Sequence, residues 1–153
     1  RRDQGFVFVD GGNLSDNVNK TEAVLESLSL MRCASTVYGS QEERLGTELI
    51  PSLEKWHVPI VRLLGDTDVK TDSRPYQLLT VGGHQVAIVS APKNADKHVS
   101  LLNGVLAEAR KSADVVILFS ELLPSDEREL SHGWCKQGMI DVLVSRTVGD
   151  TTS

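Results

Sequence analysis

Apolar runs and apolar stripes alternate along this chain, and their spacing predicts the elements. Phe6-Val7-Phe8-Val9 runs straight into Asp10-Gly11-Gly12-Asn13-Leu14. A short apolar run bounded by turn residues predicts a buried strand, central and parallel. After the polar loop 15–19, Asn19 as cap with Glu22 three residues on marks a helix start. Val24, Leu25, Leu28 and Met31 then share one helical face. A strand over 35–38 follows, closed by Gly39. Leu45, Leu49, Leu53 and Trp56 keep helical spacing within 41–57, and Pro51 makes this one kinked helix or two short ones. Residues 58–64 read as another apolar strand. The polar, aperiodic stretch 65–75 reads as a surface loop. Its Asp66, Asp68 and Asp72 lack the closing Glu of a calcium loop, so a solvated loop is the simpler account. Two strand-like runs, 76–81 and 85–89, flank Gly82-Gly83-His84 and predict a β-hairpin inserted between strand and helix, with His84 exposed at its tip. A helix over 96–112 carries the stripe Val99, Leu102, Val105, Leu106 and Ala109. A buried strand over 114–119, a helix from Ser125 to Gly138 with Leu130 and Trp134 inside, and a strand over 139–144 complete the pattern.

Strands alternating with helices predict an α/β fold: a three-layer sandwich with a mainly parallel central sheet, helices on both faces and the hairpin as an insertion. The 153 residues make one domain, 1–153, and the abrupt start at Arg1 reads as a domain excised from a longer protein. Hydrophobic content of 40% and charged content of 24% suit a globular domain, and no apolar run reaches the length of a membrane span. Cys33 and Cys135 fit no zinc spacing; as two thiols they suit a reducing, intracellular compartment, which we expect to be the cytoplasm ahead of an organelle. A net charge of −5 is not the footprint of a duplex-DNA binder. It is compatible with a nuclease that gathers acids around metal ions.

The candidate chemistry lies at strand ends. Asp10 and Glu121 each follow a buried strand, and Asp96 and Asp126 each head a helix. In a doubly wound sheet those positions face the same edge. Clustered carboxylates repel one another unless cations sit between them, and hard oxygen ligands suit Mg²⁺ or Mn²⁺. Phosphodiester hydrolysis is the reaction such a centre serves best. For Asp96 alone the structural reading is an anion favoured at a helix N-terminus. Lys93, Lys97 and His98 stand beside it and could hold phosphates, or they form a solvated helix start. The chain has no G-x-x-x-x-G-K-[ST], no G-x-G-x-x-G after its first strand and no G-x-S-x-G. Gly12 stands where a haloacid-dehalogenase pattern wants its second Asp.

Three stretches together resemble the NYN family of PIN-like ribonucleases. Phe8-Val9-Asp10-Gly11-Gly12-Asn13 is similar to the family's opening Asp-Gly-x-Asn after a strand. Lys93-Asn94-Ala95-Asp96 is similar to its Lys-x-x-Asp element, and 113–120 to the strand and Ser before its last acids. The resemblance implies a PIN-like sandwich and a divalent-metal-dependent endoribonuclease acting on single-stranded or loop RNA. It makes Asp10 and Asp96 metal-binding acids, with Asn13 and Ser120 orienting the site and Asn13, Lys93 and Lys97 meeting RNA. The family's Gly/Thr-Asp-x-Asp/Asn-Phe after the Ser is replaced here by Glu121-Leu122-Leu123-Pro124-Ser125-Asp126, so Glu121 or Asp126 stands in as the remaining metal acid. Asn103 occupies the place of a further helix acid. The alternative is a catalytically degenerate NYN domain, an RNA-binding or scaffolding module. A third reading is a small-molecule phosphate enzyme. RNA is the expected partner, with flanking RNA-binding domains or protein partners supplying affinity that so acidic a chain lacks. A homodimer is left open, and no membrane partner is expected.

Overall fold

The computed structural model describes residues 5–63, 73–93 and 95–146. Residues 65–72 of the expected loop fall outside them, as does the tail beyond Arg146, and its end, Ser73–Arg74, is a strand rather than loop because it pairs with Ile60–Val61. In chain order the elements are β1 (Val9–Asp10), α1 (Val18–Leu30), β2 (Ser35–Val37), α2 (Ser40–Leu45), α3 (Ile50–Trp56), β3 (Ile60–Val61), β4 (Ser73–Arg74), β5 (Tyr76–Val81), β6 (His84–Ala91), α4 (Val99–Ser112), β7 (Val115–Ser120), α5 (Pro124–Lys136) and β8 (Val142–Ser145). Short 3₁₀ turns, Gly46–Leu49 and Ala95–His98, precede α3 and α4.

The strands form two hydrogen-bonded sheets, β1-β2-β3-β4 and β5-β6-β7-β8. The first is parallel throughout. In the second, β5 and β6 pair antiparallel, and β6, β7 and β8 run parallel. Side chains alternate across a strand, so each strand sends residues to two sides. Tyr38 and Ile60 pack with Leu25 and Leu28 of α1 and Leu53 of α3. On the other side of the molecule, Ala87, Val89, Val116 and Leu118 lie with Leu102, Leu106 and Ala109 of α4 and Trp134 of α5. The intervening positions, Val37, Val61 and Ile88 with Val9, Leu79, Ile117 and Phe119, meet one another. Helices therefore flank a β layer on both faces, as expected, and that layer is two sheets packed face to face. An apolar run shows that both faces of a strand are covered, but not whether a helix or a second sheet covers them.

Several boundaries shift for local reasons. The first strand is only Val9–Asp10; Phe6 and Phe8 are exposed, and among the described residues β1 bonds only to β2, so it lies at a sheet margin rather than centrally. The cap of α1 is Asn17, whose side chain accepts from the Asn19 and Lys20 amides at 3.0 and 3.3 Å. Pro51 lies in the first turn of α3, where its missing N–H costs nothing, so the 41–57 region is two short helices. Gly82 and Gly83, with φ of 57° and 86°, make the two-residue turn of the hairpin. The second strand of that hairpin runs on to Ala91 as an interior strand bonded to β7, so only β5 is appended to the parallel part of the sheet.

Candidate functional site: a polar edge closed by an internal ion pair

The ends of β1, β2, β7 and β8 supply one polar edge. Leaving β1, the chain turns through Gly11 and Gly12, and one Asp10 carboxylate oxygen accepts from the Gly12 amide at 2.8 Å and the Thr36 hydroxyl at 2.9 Å. Gly12 has φ of +80°, and a Cβ there would run into the Val37 carbonyl, so the loop passes directly over β2. Asn13 follows with φ of 58°, a left-handed conformation that Asn tolerates. This places its side chain across the edge: Nδ2 donates to Glu121 and Oδ1 accepts from the Gln41 amide at 3.1 Å.

Two buried glutamates organise the rest. Glu42, at the N-terminus of α2, accepts from the Gly39 amide at 2.8 Å, the Asn13 amide at 3.0 Å and the Leu14 amide at 2.6 Å. It ties the loop after β1 to the loop after β2 and favours the helix N-terminus by its charge. Glu121, just past β7, accepts from the Ser40 amide at 2.9 Å and the Ser40 hydroxyl at 3.3 Å besides Asn13. Its own amide donates to the Ala91 carbonyl at 2.8 Å, which fixes it at the edge.

Arg146 completes the set from the end of β8. Its amide donates to the Ser120 carbonyl at 2.7 Å, Nη1 donates to the Gly11 carbonyl, and Nη2 lies 3.8 Å from Glu121. The side chains of Arg146 and Glu121 are only 9% and 6% exposed, so this pair is removed from water. Burial pulls the Arg146 pKa down, against the opposing pull of Glu121, Glu42 and Asp10. Among the described residues, Nε and Nη2 have no hydrogen-bond partner. Nearby, burial pushes the half-buried Glu43 carboxyl up; Arg62 opposes this, and Glu121 and Glu42 add to it.

Of the residues expected at the site, Asn13 and Glu121 are in direct contact, and Asp10 opens the loop that carries Asn13, with its carboxylate on Gly12 and Thr36. Ser120 does not join them: it is fully buried, and its hydroxyl accepts from the Leu122 amide at 3.2 Å, shaping the turn. Asp126 lies in the first turn of α5, where its carboxylate accepts from the Ser125 hydroxyl at 3.3 Å. Lys93 is exposed. The side chains of Asp96 and Lys97 lie outside the described residues, although their backbone forms the 3₁₀ turn before α4. Sequence reading missed Thr36, Ser40, Glu42 and Arg146. Arg146 was within reach of the strand-end argument that found Asp10 and Glu121, had that argument been applied to bases as well as acids.

Among the described residues, which leave out the Asp96 side chain, the donors at this edge do not fit Mg²⁺ or Mn²⁺ as they stand. Among the described residues no three His, Cys, Asp or Glu side chains are grouped to hold a metal ion. Glu42 accepts from three backbone amides, both Glu121 oxygens are engaged, and a guanidinium lies beside them. A hard cation would have to displace those donors.

No protein-family model and no curated protein matches the chain by sequence. Its fold is similar to those of several solved structures. These include the sulfate thiohydrolase SoxB of Thermus thermophilus, solved in complex with glycerol, at TM-score 0.66 and 20% identity over 91% of this chain. A 5'-nucleotidase precursor, also from Thermus thermophilus, gives TM-score 0.69 and 16% identity over 91%, and the NAD nucleotidase NadN of Haemophilus influenzae 0.67 and 15% over 94%. The chain spans 29%, 32% and 32% of those three solved chains, and at such identities the likeness is one of fold. Among the described residues no helix is long and apolar enough to cross a membrane.

Proposed function

We propose that this chain is a non-hydrolytic α/β module that acts by binding or scaffolding, built on a fold shared with nucleotidases. One observation carries the reading. The edge where the acids converge is closed by its own groups, with Asn13, Ser40 and Arg146 all engaging Glu121. A hydrolytic metal centre needs carboxylate oxygens free to bind the ion. Here the Glu121 oxygens accept from the Asn13 side-chain amide, the Ser40 amide and the Ser40 hydroxyl, and the Arg146 guanidinium stands beside them as an ion pair. An intracellular setting suits the two unpaired thiols, Cys33 and Cys135.

The second reading keeps the metal-dependent phosphodiesterase, with RNA as substrate, that the NYN resemblance implies. The placing of Asp10 and Glu121 at strand ends on one polar edge and the nucleotidase-like fold favour it, with Asp96 as a further acid. One assay separates the two. The protein is incubated with Mn²⁺ or Mg²⁺ and either end-labelled single-stranded RNA or a nucleoside 5'-monophosphate, beside Asp10→Asn. The non-hydrolytic reading expects no cleavage and no phosphate release above the Asp10→Asn background. Metal-dependent turnover abolished by Asp10→Asn would overturn it and place the reaction at this edge.

A further inference from the structure

β5 is an end strand of its sheet, bonded to β6 on one side and, among the described residues, to no strand on the other. Its six residues pair with β6 in unbroken register, from Tyr76 opposite Val89 to Val81 opposite His84, so no bulge turns the free side away. Val81 and His84 flank the two-residue Gly82-Gly83 turn as a hydrogen-bonded pair, and such pairs alternate along an antiparallel ladder. Val81, Leu79 and Gln77 therefore bond to β6, and the N–H and C=O groups of Thr80, Leu78 and Tyr76 point away from it. End strands are ordinarily guarded by lysine, proline, a bulge or a covering element. Tyr76-Gln77-Leu78-Leu79-Thr80-Val81 has no charge and no proline, and Leu78 in its middle is 36% exposed.

We propose that β5 pairs antiparallel with β5 of a second copy, across a two-fold axis at Leu78. That register uses every outward group: Tyr76 meets the partner's Thr80, Leu78 the partner's Leu78 and Thr80 the partner's Tyr76, each pair exchanging both hydrogen bonds. A slip of two residues either way loses a pair. The contact is isologous, so the surface has to suit its own copy. No like charges meet along the strand, because it carries none. Its two ends are complementary as well. A hollow of about 320 Å³ lies at the start of β5, lined by Arg74, Pro75, Tyr76, Gln77 and Leu78. The register brings to it the partner's Gly82-Gly83 turn, which has no side chains to obstruct entry. At that turn the exposed Asp114, 3.7 Å from His84, offers an acid to the exposed Arg74. An unrelated extended peptide satisfies the backbone groups but not both ends. Six residues at ~3.4 Å each make a side only about 20 Å long. Such a contact falls at or below the ~1,200 Å² of standard interfaces, so the dimer is weak, in the micromolar range. It involves no residue of the polar edge and so stands apart from the non-hydrolytic reading.

The test is sedimentation velocity of the full chain from about 5 to about 500 µM, the range that a contact of this size calls for. Wild type is expected to pass from monomer to dimer as concentration rises. Leu78→Lys sets two like charges against each other on the axis and is expected to stay monomeric. Leu101→Lys, at an exposed leucine of α4, is expected to follow wild type. Register is read by oxidation in a Cys135→Ser background, since Cys135 is exposed and Cys33 is buried. Leu78→Cys puts two thiols on residues whose Cα atoms lie about 5.5 Å apart, within the span of a disulfide, and is expected to crosslink. Thr80→Cys faces the partner's Tyr76 instead and is expected to crosslink about tenfold more slowly. A wild type that stays monomeric throughout overturns the inference and leaves β5 to another chain. A dimer that Leu78→Lys leaves intact overturns it too, as does equal crosslinking of the two cysteine variants. If Leu78→Lys does not fold, the cysteine pair decides alone.

Discussion

Glu42 shows how far a single side chain governs this edge. The residue is 3% exposed, and its carboxylate accepts from three backbone amides contributed by two loops. Glu42→Ala strands those amides in a buried place, and unfolding in urea should show a loss of about 3 kcal/mol or more. A loss under about 1 kcal/mol would mean that water replaces the carboxylate, as it does at surface sites. The exposed pair Lys55–Glu22, 2.8 Å apart, is the internal control, and Lys55→Ala should leave stability unchanged within error. Glu43 behaves differently because burial raises its pKa. An acid with a raised folded pKa binds its proton more tightly in the native state. Its contribution is therefore favourable below the ordinary carboxylate range and is lost as pH rises through that range towards the raised value. Glu43→Gln should thus melt at a higher temperature than wild type at pH 7, and the gap should shrink as the pH approaches about 4, near the ordinary carboxylate value. An equal gap at both pH values would contradict the assignment. Asp10, Asn13 and Glu121 were legible because each follows an apolar run in the sequence. Glu42 was not, since what it holds lies 28 and 29 residues back along the chain at Leu14 and Asn13. The signal available for it was the Gly39-x-x-Glu42 spacing of a helix start, where an acid at the third position reaches back to the capping residue.

At the scale of elements, two of the three long helices, α1 and α5, end with one geometry and different residues. After α5, Gly138 takes φ of 65°, and the Gly138 and Met139 amides donate to the Cys135 and Trp134 carbonyls at 3.0 and 2.8 Å. After α1 the same bonds run from Arg32 to Ser29 and from Cys33 to Leu28, but the left-handed residue is Arg32, with φ of 55°. A side chain there is strained, whereas glycine is not. Arg32→Gly should therefore raise stability by about 0.5 kcal/mol or more, because relief of the left-handed strain outweighs glycine's larger loss of chain entropy. A decrease on chemical denaturation would contradict this. Gly138 is visible in a sequence as a helix stop; Arg32 is not, because nothing about an arginine announces a left-handed turn. Between helices, Asn103 accepts from the Trp134 indole N–H at 2.6 Å and so joins α4 to α5. This is the position that the family resemblance compared with a helix acid, and here it serves packing. Asn103→Leu should cost about 1–3 kcal/mol by orphaning a buried donor.

Over the whole molecule, periodicity disclosed the class of fold and concealed its depth. The outer face of β6 and β7 meets α4 and α5, while the inner face meets a second sheet through Ile88, Ile117 and Phe119. Both contacts produce the same apolar string, so the sequence pattern cannot separate a helix layer from a sheet. The site has the same character. Arg146 and Gly11 are 135 residues apart, and Ser40 and Glu121 are 81 apart. Only the packing of one sheet on the other brings them together. The central claim is that Arg146 and Glu121 neutralise each other inside this edge, so the most direct measurement is a double-mutant cycle on stability with Arg146→Met, Glu121→Gln and their combination. Removing one partner strands a buried charge, and each single variant should lose about 3 kcal/mol. Removing both leaves no stranded charge, so the double variant should fall short of the summed losses by about 2 kcal/mol. Losses that add to within about 0.5 kcal/mol would show that the two groups do not interact, and the edge would then need another source of positive charge.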